Sequence, residues 1–314
     1  MKKAFLTMSL FAVAATTFVA CNIEEEPKYL VQVSATEGGT VEGQNGEYKT
    51  GWKIAFKAIP SDGYYFSKWS DGNTDNPRLI NVGTSDITIT AEFVLPTIAT
   101  VDLGLESGNL WTTCNVGAIN PWDYGYYYSW GETEIKSNYS WETYKYRNSS
   151  KKITKYNNLE VSGTVDNKTV LDSTDDAATA VFGSDYSIPT DDDWKELGNQ
   201  CYWVWTSNYN NRNVSGYIVY KAKTDGDKGE KVYTGGTPSL SYSLSDAHIF
   251  LPAAGRRASV VLYLDGEDGR YWSSSFGNNP YIVKECLFND NDVHPSYAWD
   301  ERYVGLSVRP VKRQ

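Results

Sequence analysis

Histidine and methionine are almost missing from this chain, with two of each in 314 residues. His248 and His294 are the only imidazoles, so general-base chemistry has few places to reside. His248 lies in the apolar run Ala247–Leu251, which reads as a strand, with Asp246 two residues before it. Ser273-Ser274-Ser275 follow Trp272, but no Gly-x-Ser-x-Gly elbow surrounds them, and serines on a polar strand face are ordinary. No catalytic constellation emerges, and the expectation is a protein that is not an enzyme. Cysteine is also short. Without Cys21, the residues Cys114, Cys201 and Cys286 form an odd set that cannot all pair within one chain. One disulfide and buried free thiols are both compatible with that set. No C-x-x-C or Cys/His spacing offers a zinc site. Long apolar runs are absent beyond the first residues, so nothing later in the chain can span a bilayer, which takes about 20 residues.

What the N-terminus does contain is an ordered signal. Lys2 and Lys3 precede an apolar stretch from Ala4 to about Val13, and the small residue Ala20 stands directly before Cys21. These are the parts of a secretory signal over residues 1–20. The Val19-Ala20-Cys21 junction resembles a bacterial lipobox, in which the sulfur is acylated with palmitate-type chains and the preceding peptide is removed. Glu24, Glu25 and Glu26, inside an acidic tether over residues 21–27, resemble the surface-export signal of Bacteroidota lipoproteins. A plain secretory signal with an incidental cysteine and an uncleaved anchor are the competing readings. The run is too short and too rich in Ala and Thr for a comfortable span. The resemblance implies an outer-membrane lipoprotein facing the cell exterior, touching the membrane through its N-terminal lipid. Two or three acyl chains exceed the marginal hold of one.

Removing Lys2 and Lys3 from the 29 basic side chains leaves 27 against 39 acidic ones, a formal net charge of −12. Such a surface repels nucleic acid and anionic headgroups and suits neutral polysaccharide, cations or basic proteins. Tyrosine and tryptophan are abundant, at 24 and 11. Short β-type runs between Gly, Asn, Asp and Ser clusters outnumber helix-period patterns, which predicts a β-rich extracellular protein.

A first module is expected over residues 28–95. Ile87, Ile89, Ala91 and Phe93 alternate with polar residues, as do Ile54, Phe56 and Ala58, the period of half-buried strands. Gly38-Gly39, Asn45-Gly46, Asp62-Gly63 and Asp71-Gly72 supply turn residues. Glu37-Gly38-Gly39-Thr40-Val41, Pro60-Ser61-Asp62-Gly63-Tyr64-Tyr65-Phe66, Trp69-Ser70-Asp71-Gly72 and Ile89-Thr90-Ala91-Glu92-Phe93 together resemble the divergent internalin B-type repeat. That likeness implies a small all-β spacer or adhesive unit. Trp69 and Tyr64 are read as core in preference to a sugar platform, because large aromatics are the main apolar material of so small a domain.

Pro96 punctuates a linker, and a second module is expected over residues 101–312. The series Asp102-Leu103-Gly104-Leu105, Tyr124-Gly125-Tyr126-Tyr127-Tyr128-Ser129-Trp130-Gly131, Leu171-Asp172-Ser173-Thr174-Asp175-Asp176, Phe250-Leu251-Pro252-Ala253-Ala254-Gly255-Arg256 and Gly305-Leu306-Ser307-Val308-Arg309-Pro310-Val311 resembles the Fibrobacter succinogenes major paralogous domain. That family is similar to the C-type-lectin-like fold of formylglycine-generating enzymes, which implies an α+β module after the all-β one. Those enzymes need a pair of cysteines late in the chain. Cys286 stands alone, so their activity is not carried over. The bridge to that fold is Ile188-Pro189-Thr190, followed by a helix over Asp191–Leu197. There Thr190 is the N-cap, acids fill the first turn, and Trp194 and Leu197 share one buried face.

Two chemistries compete for the surface. Asp172, Asp175 and Asp176 are the candidates for calcium, and Asp290-Asn291-Asp292 form a second acidic group, yet neither has the loop spacing of a calcium hand. Asp175 and Asp176 also read as caps of a short helix at Ala177–Ala180, and Asn289–Asp292 as a hairpin turn, so no cofactor is expected. Aromatic faces stack on sugars. Trp122, Tyr126, Tyr128, Trp130 and Trp272 are the candidate ligand contacts, and Trp203 and Trp205 alternate on another stretch. Period two would send Tyr126, Tyr128 and Trp130 to one strand face and Tyr127 to the other, one face being core. The expected function is a non-catalytic extracellular binding or adhesion protein for a glycan or a protein. The alternative is a structural subunit or decoration of a cell-surface assembly.

Overall fold

Ile89, Ala91 and Phe93 bury themselves on one side of the strand Ile87–Val94, as period two demands. The structure is a computed structural model and describes residues 26–61, 64–94, 99–277 and 279–314. The turn Asp62-Gly63 and the linker proline Pro96 lie outside the described residues. The strand Ile87–Val94 runs parallel to Lys28–Ala35, with Val31 opposite Ile87 and Ala35 opposite Ala91. Gly46–Lys49 and Tyr65–Trp69 flank that pair, and Gly39–Glu42, Lys53–Pro60 and Arg78–Asn81 form a separate three-stranded sheet. Phe56, Ala58 and Ile80 from the small sheet join Val31, Trp69 and Phe93 from the large one in a single apolar cluster. Trp69 is fully buried there, and its indole N–H donates to the Asp75 carbonyl at 2.8 Å. Gly38 and Gly72 adopt positive φ, as the turn chemistry requires. Gly46 instead begins a strand, and Gly43 and Gly51 take the other positive-φ positions of this region.

The remaining described residues are also β-rich, with α1 (Ala177–Phe182) and α2 (Asp191–Gln200) as the only α-helices among them. The capping at Thr190 is as expected and goes further. Its hydroxyl accepts from the Asp193 amide, and Asp193 reaches back to the Thr190 amide, closing a capping box. Trp194 and Leu197 are both fully buried. The Trp194 indole meets Trp111 edge-on at 4.8 Å and donates to the Trp272 carbonyl at 3.2 Å. The helix therefore seats its apolar face on two strands distant in sequence.

Directly after α2, Cys201–Thr206 pairs with Gly216–Lys221 on one side and Lys231–Val232 on the other. His248–Pro252 extends the sheet. Trp203, Tyr217 and Leu251 project into the cluster around α2. Tyr202, Ile218 and Phe250 fill a different cluster on the opposite face. A third cluster surrounds Trp130, Tyr156 and Trp272 in the five-stranded sheet that includes Gly269–Trp272, Ile282–Asn289 and Asp292–Glu301.

The opening and closing segments of this region meet. Trp111 in the strand Leu110–Thr112 lies opposite Val311. Arg309 is fully buried beside them, and its guanidinium donates to Asn115 at 2.8 Å and to the carbonyls of Thr112, Thr113 and Phe250 at 2.8–3.0 Å. A buried cation survives when its donors are satisfied, so Arg309 fastens the two ends. Arg302 does the same for the third cluster, through Tyr144 at 2.7 Å and the carbonyls of Tyr156 and Pro280 at 3.0 Å. The face of Trp130 lies 4.9 Å from its guanidinium carbon.

Candidate binding surfaces

The five aromatic candidates fall into three environments. Trp130 and Trp272 are fully buried, and their indoles donate to the carbonyls of Ser273 at 2.7 Å and Tyr128 at 2.6 Å. They are core residues with no face open to a ligand, which corrects the expectation for both. Trp122 is half-buried, and the Arg212 guanidinium already stands 4.6 Å over its ring. Tyr126 is half-buried and Tyr128 nearly covered, and both line one cleft. The strict alternation expected for this stretch is lost. Tyr127, Tyr128, Ser129 and Trp130 are all buried, because the short strand Tyr127–Tyr128 is covered on both faces. Trp203 is likewise core, while Trp205 retains some exposure.

That cleft, about 570 Å³, opens between the repeat-like region and the rest of the molecule. Tyr64, Tyr65 and Pro60 contribute one wall, and Tyr126, Ile135 and Val181 the other. Its hinge line is polar and aromatic together. The Gly117 amide donates to the Tyr65 hydroxyl at 2.9 Å, and the Tyr65 and Tyr126 rings lie 5.8 Å apart. Gly117 has φ +84°, and a Cβ there would fall 2.4 Å from the Tyr126 ring, so only glycine lets the tyrosine close over it. Burial pushes the Tyr65 phenol up to about 12 and raises that of Tyr126, so both remain neutral hydrogen-bonding groups. Tyr64, read from the sequence as core, both packs partly on that core and lines the cleft, and Tyr65 is not legible from the sequence as a cleft residue because its partner Tyr126 lies far along the chain. A tyrosine pair beside a Gly-rich turn was the available signal.

The acids Asp172, Asp175 and Asp176 have partners within the chain. Asp172 pairs with Lys155 at 2.6 Å and with Lys168, and Asp175 pairs with Lys155. Against the cost of burial, bonds from Lys155, Tyr146 and Tyr156 hold the Asp175 carboxyl below its usual range. Asp176 accepts from the amides of Ala178 at 2.8 Å and Thr179 at 3.0 Å, capping α1, and from Ile188 at 2.8 Å. Calcium at these three residues would have to compete with lysines and helix amides. Among the described residues, no three His, Cys, Asp or Glu side chains converge as a metal site.

His248 and the serine run do not meet. Its Nδ1 faces the Asp246 carbonyl at 2.8 Å and its Nε2 the Tyr209 hydroxyl at 3.0 Å. Ser273 and Ser274 are buried, and Ser275 accepts from the Asp191 amide at the start of α2. Cys114, Cys201 and Cys286 are all free. Cys201 and Cys286 are fully buried, and desolvation raises both thiols, Cys201 to about 12. Cys21, Glu24 and Glu25 lie outside the described residues, while Glu26 is exposed and pairs with Lys49 at 2.8 Å. Among the described residues, no helix is long and apolar enough to cross a membrane.

A family model described as the divergent InlB B-repeat domain matches residues 29–96. No curated protein and no solved structure matches the chain.

Proposed function

We propose that this chain is a lipid-anchored protein of the outer membrane, facing the cell exterior, that binds an extracellular glycan without catalysis. In this reading Cys21 carries the lipid and Glu24, Glu25 and Glu26 direct export. The InlB-like repeat holds a C-type-lectin-like module away from the membrane. One feature favours a separate second module: the pairing of Trp111 with Val311, which brings its ends together. The observation that carries the glycan reading is the tyrosine-walled cleft. Phenol rings stack on sugar C–H faces while their hydroxyls serve the sugar oxygens, and about 570 Å³ is in the range of small-ligand sites.

A glycan array probed with the protein is expected to return a defined set of oligosaccharides. Tyr64→Ala and Tyr126→Ala should each weaken the best of them by about 10-fold, the scale of one lost stacking contact in a binding free energy. Retention of full affinity by both variants would remove the cleft from the reading.

A structural role in a surface assembly has its own supporting observation. The hairpin of Arg256–Ala258 and Val261–Tyr263 stands as a two-stranded sheet with Val260, Val261, Tyr263 and Leu264 exposed. An exposed apolar edge of that kind suits a protein partner. An array without hits, together with recovery of a stoichiometric protein partner lost on Val261→Lys, would favour that reading.

A further inference from the structure

The two ends of the repeat-like region differ in chemistry. The strand Ile87–Val94 has Ile87 opposite Val31, near the start of Lys28–Ala35, and Val94 opposite Tyr65 of the cleft. The cleft therefore lies at the far end of these strands, roughly 20 Å from Lys28 at the rise of a β-strand. At the near end, residues 50–52 connect the strands Gly46–Lys49 and Lys53–Pro60 of the two sheets. Trp52 sits in that connection with 55% of its surface exposed, the highest value of any aromatic side chain among the described residues. Its ring lies 5.9 Å from that of Tyr48, which pairs in register with Tyr29. Both tyrosines are half-buried and pack against the core around Val31 and Trp69. Lys28 stands opposite Lys49, and Lys53 follows Trp52, so exposed lysines flank this aromatic group.

The same end receives the chain from the N-terminal side. Glu26 pairs with Lys49 at 2.8 Å, and the Trp52 amide donates to the Lys49 carbonyl at 3.3 Å. Lys49 thus holds the incoming chain and the tryptophan together. The steps from Cys21 to Glu26 reach at most about 18 Å when fully extended, so a lipid on Cys21 confines this end to the neighbourhood of the bilayer. An exposed indole has an apolar body to bury and one N–H to place, and tryptophan and tyrosine collect at the membrane–water interface for that reason. Lysines beside them lay their stems on apolar surface and keep the ammonium in water or headgroups. The charge agrees. Lys28, Lys49 and Lys53 balance Glu26, Glu47 and Asp86, the last of which accepts from the Leu30 amide at 2.8 Å. The chain as a whole carries −10, and the end nearest the tether has none of that excess.

We propose that Trp52, with Tyr48 and Tyr29 behind it, docks the repeat on the lipid headgroup layer. The repeat then stands on the membrane by this end, and the cleft at the other end points away from it. This docking rests on the lipid anchor at Cys21 proposed above. A single indole binds an interface weakly, but the anchor fixes a high local concentration of lipid, and a weak contact is then sufficient. A second copy of the chain would use the indole but leave the short tether and the lysines without a role. The lipid surface uses all three.

The test places the full chain, isolated from membranes, in phosphatidylcholine vesicles whose acyl chains carry bromine, a tryptophan quencher confined to the bilayer. Flotation on a density gradient reads the anchor, and fluorescence reads Trp52. The wild type is expected to float and to lose part of its emission relative to unbrominated vesicles. Trp52→Phe should float equally and melt at the same temperature, because the side chain is exposed, but its emission should no longer respond to bromine. Trp299→Phe, at the other well-exposed tryptophan, should keep the full response. A wild type that does not float would remove the lipid anchor and the docking with it. A wild type that floats without quenching, or equal quenching in Trp52→Phe, would overturn the docking and leave the anchor standing. Shielding of Trp52 from iodide only at a high protein-to-lipid ratio would assign the surface to a second copy and overturn the docking as well.

Discussion

Glu285 shows how strongly a single residue here depends on its neighbours. It is 1% exposed in the strand Ile282–Asn289, with Oε1 3.0 Å from Arg270 and Oε2 unpaired. Burial pushes its carboxyl up to about 8. Asp300 and Asp268 add to the rise, and the guanidiniums of Arg270 and Arg256 oppose it. In the unfolded chain the same carboxyl titrates near the ordinary glutamate value of about 4.3. The folded state therefore holds the proton across the window between these values, and its stability falls as pH rises from about 4.3 to about 8. Denaturant melts of Glu285→Gln should show a flatter stability profile across that window. An unchanged slope would place the pH dependence on other groups. Composition gave no notice of this, since a glutamate on a strand reads as solvent-facing until the covering elements are known. In the sequence Arg309 is one residue of the Gly305–Val311 motif, and its work as a clasp for the chain ends depends on carbonyls from distant segments.

At the scale of elements, legibility follows how local the cause is. The start of α2 was readable because a cap concerns three or four consecutive residues, and Thr190 with Asp193 closes it as expected. Thr190→Ala should cost about 1 kcal/mol by exposing those amides. Trp194→Ala should cost about 3–5 kcal/mol, because the indole is fully buried against Trp111 and Tyr271. Calorimetry should place both losses in a transition separate from that of the residue 31–93 core. If Trp194→Ala left that transition untouched while abolishing glycan binding, the helix face would be a ligand surface. Alternation was equally legible in Ile87–Val94, which has one face open to solvent. It failed in Tyr127–Tyr128 and in Cys201–Val204, where both faces are covered and period two carries no information. The aromatics chosen as ligand contacts for their density, Trp130 and Trp272, were dense because they build a core.

For the whole molecule, the proposed address rests on the first residues and the proposed binding surface on the assembled chain. Cys21→Ala is expected to release the protein from the detergent phase of a membrane partition, since no other segment of the sequence is apolar enough to anchor it. Quantitative retention in the detergent phase would contradict lipidation. Legible in the sequence alone were the β-rich character, the repeat-like module read over residues 28–95, where a family model matches 29–96, the turn glycines at Gly38 and Gly72, and the capped helix α2. Each of these rests on contacts between near neighbours or on a period along one strand. Only the tertiary structure decided which tyrosines face open space, which acids keep their charge unpaired, and which arginines are buried. The cleft joins Tyr65 to Gly117, residues remote from each other in the chain. Exposure and electrostatic pairing are fixed by whatever packs alongside, and in this fold those partners come from segments remote in the chain.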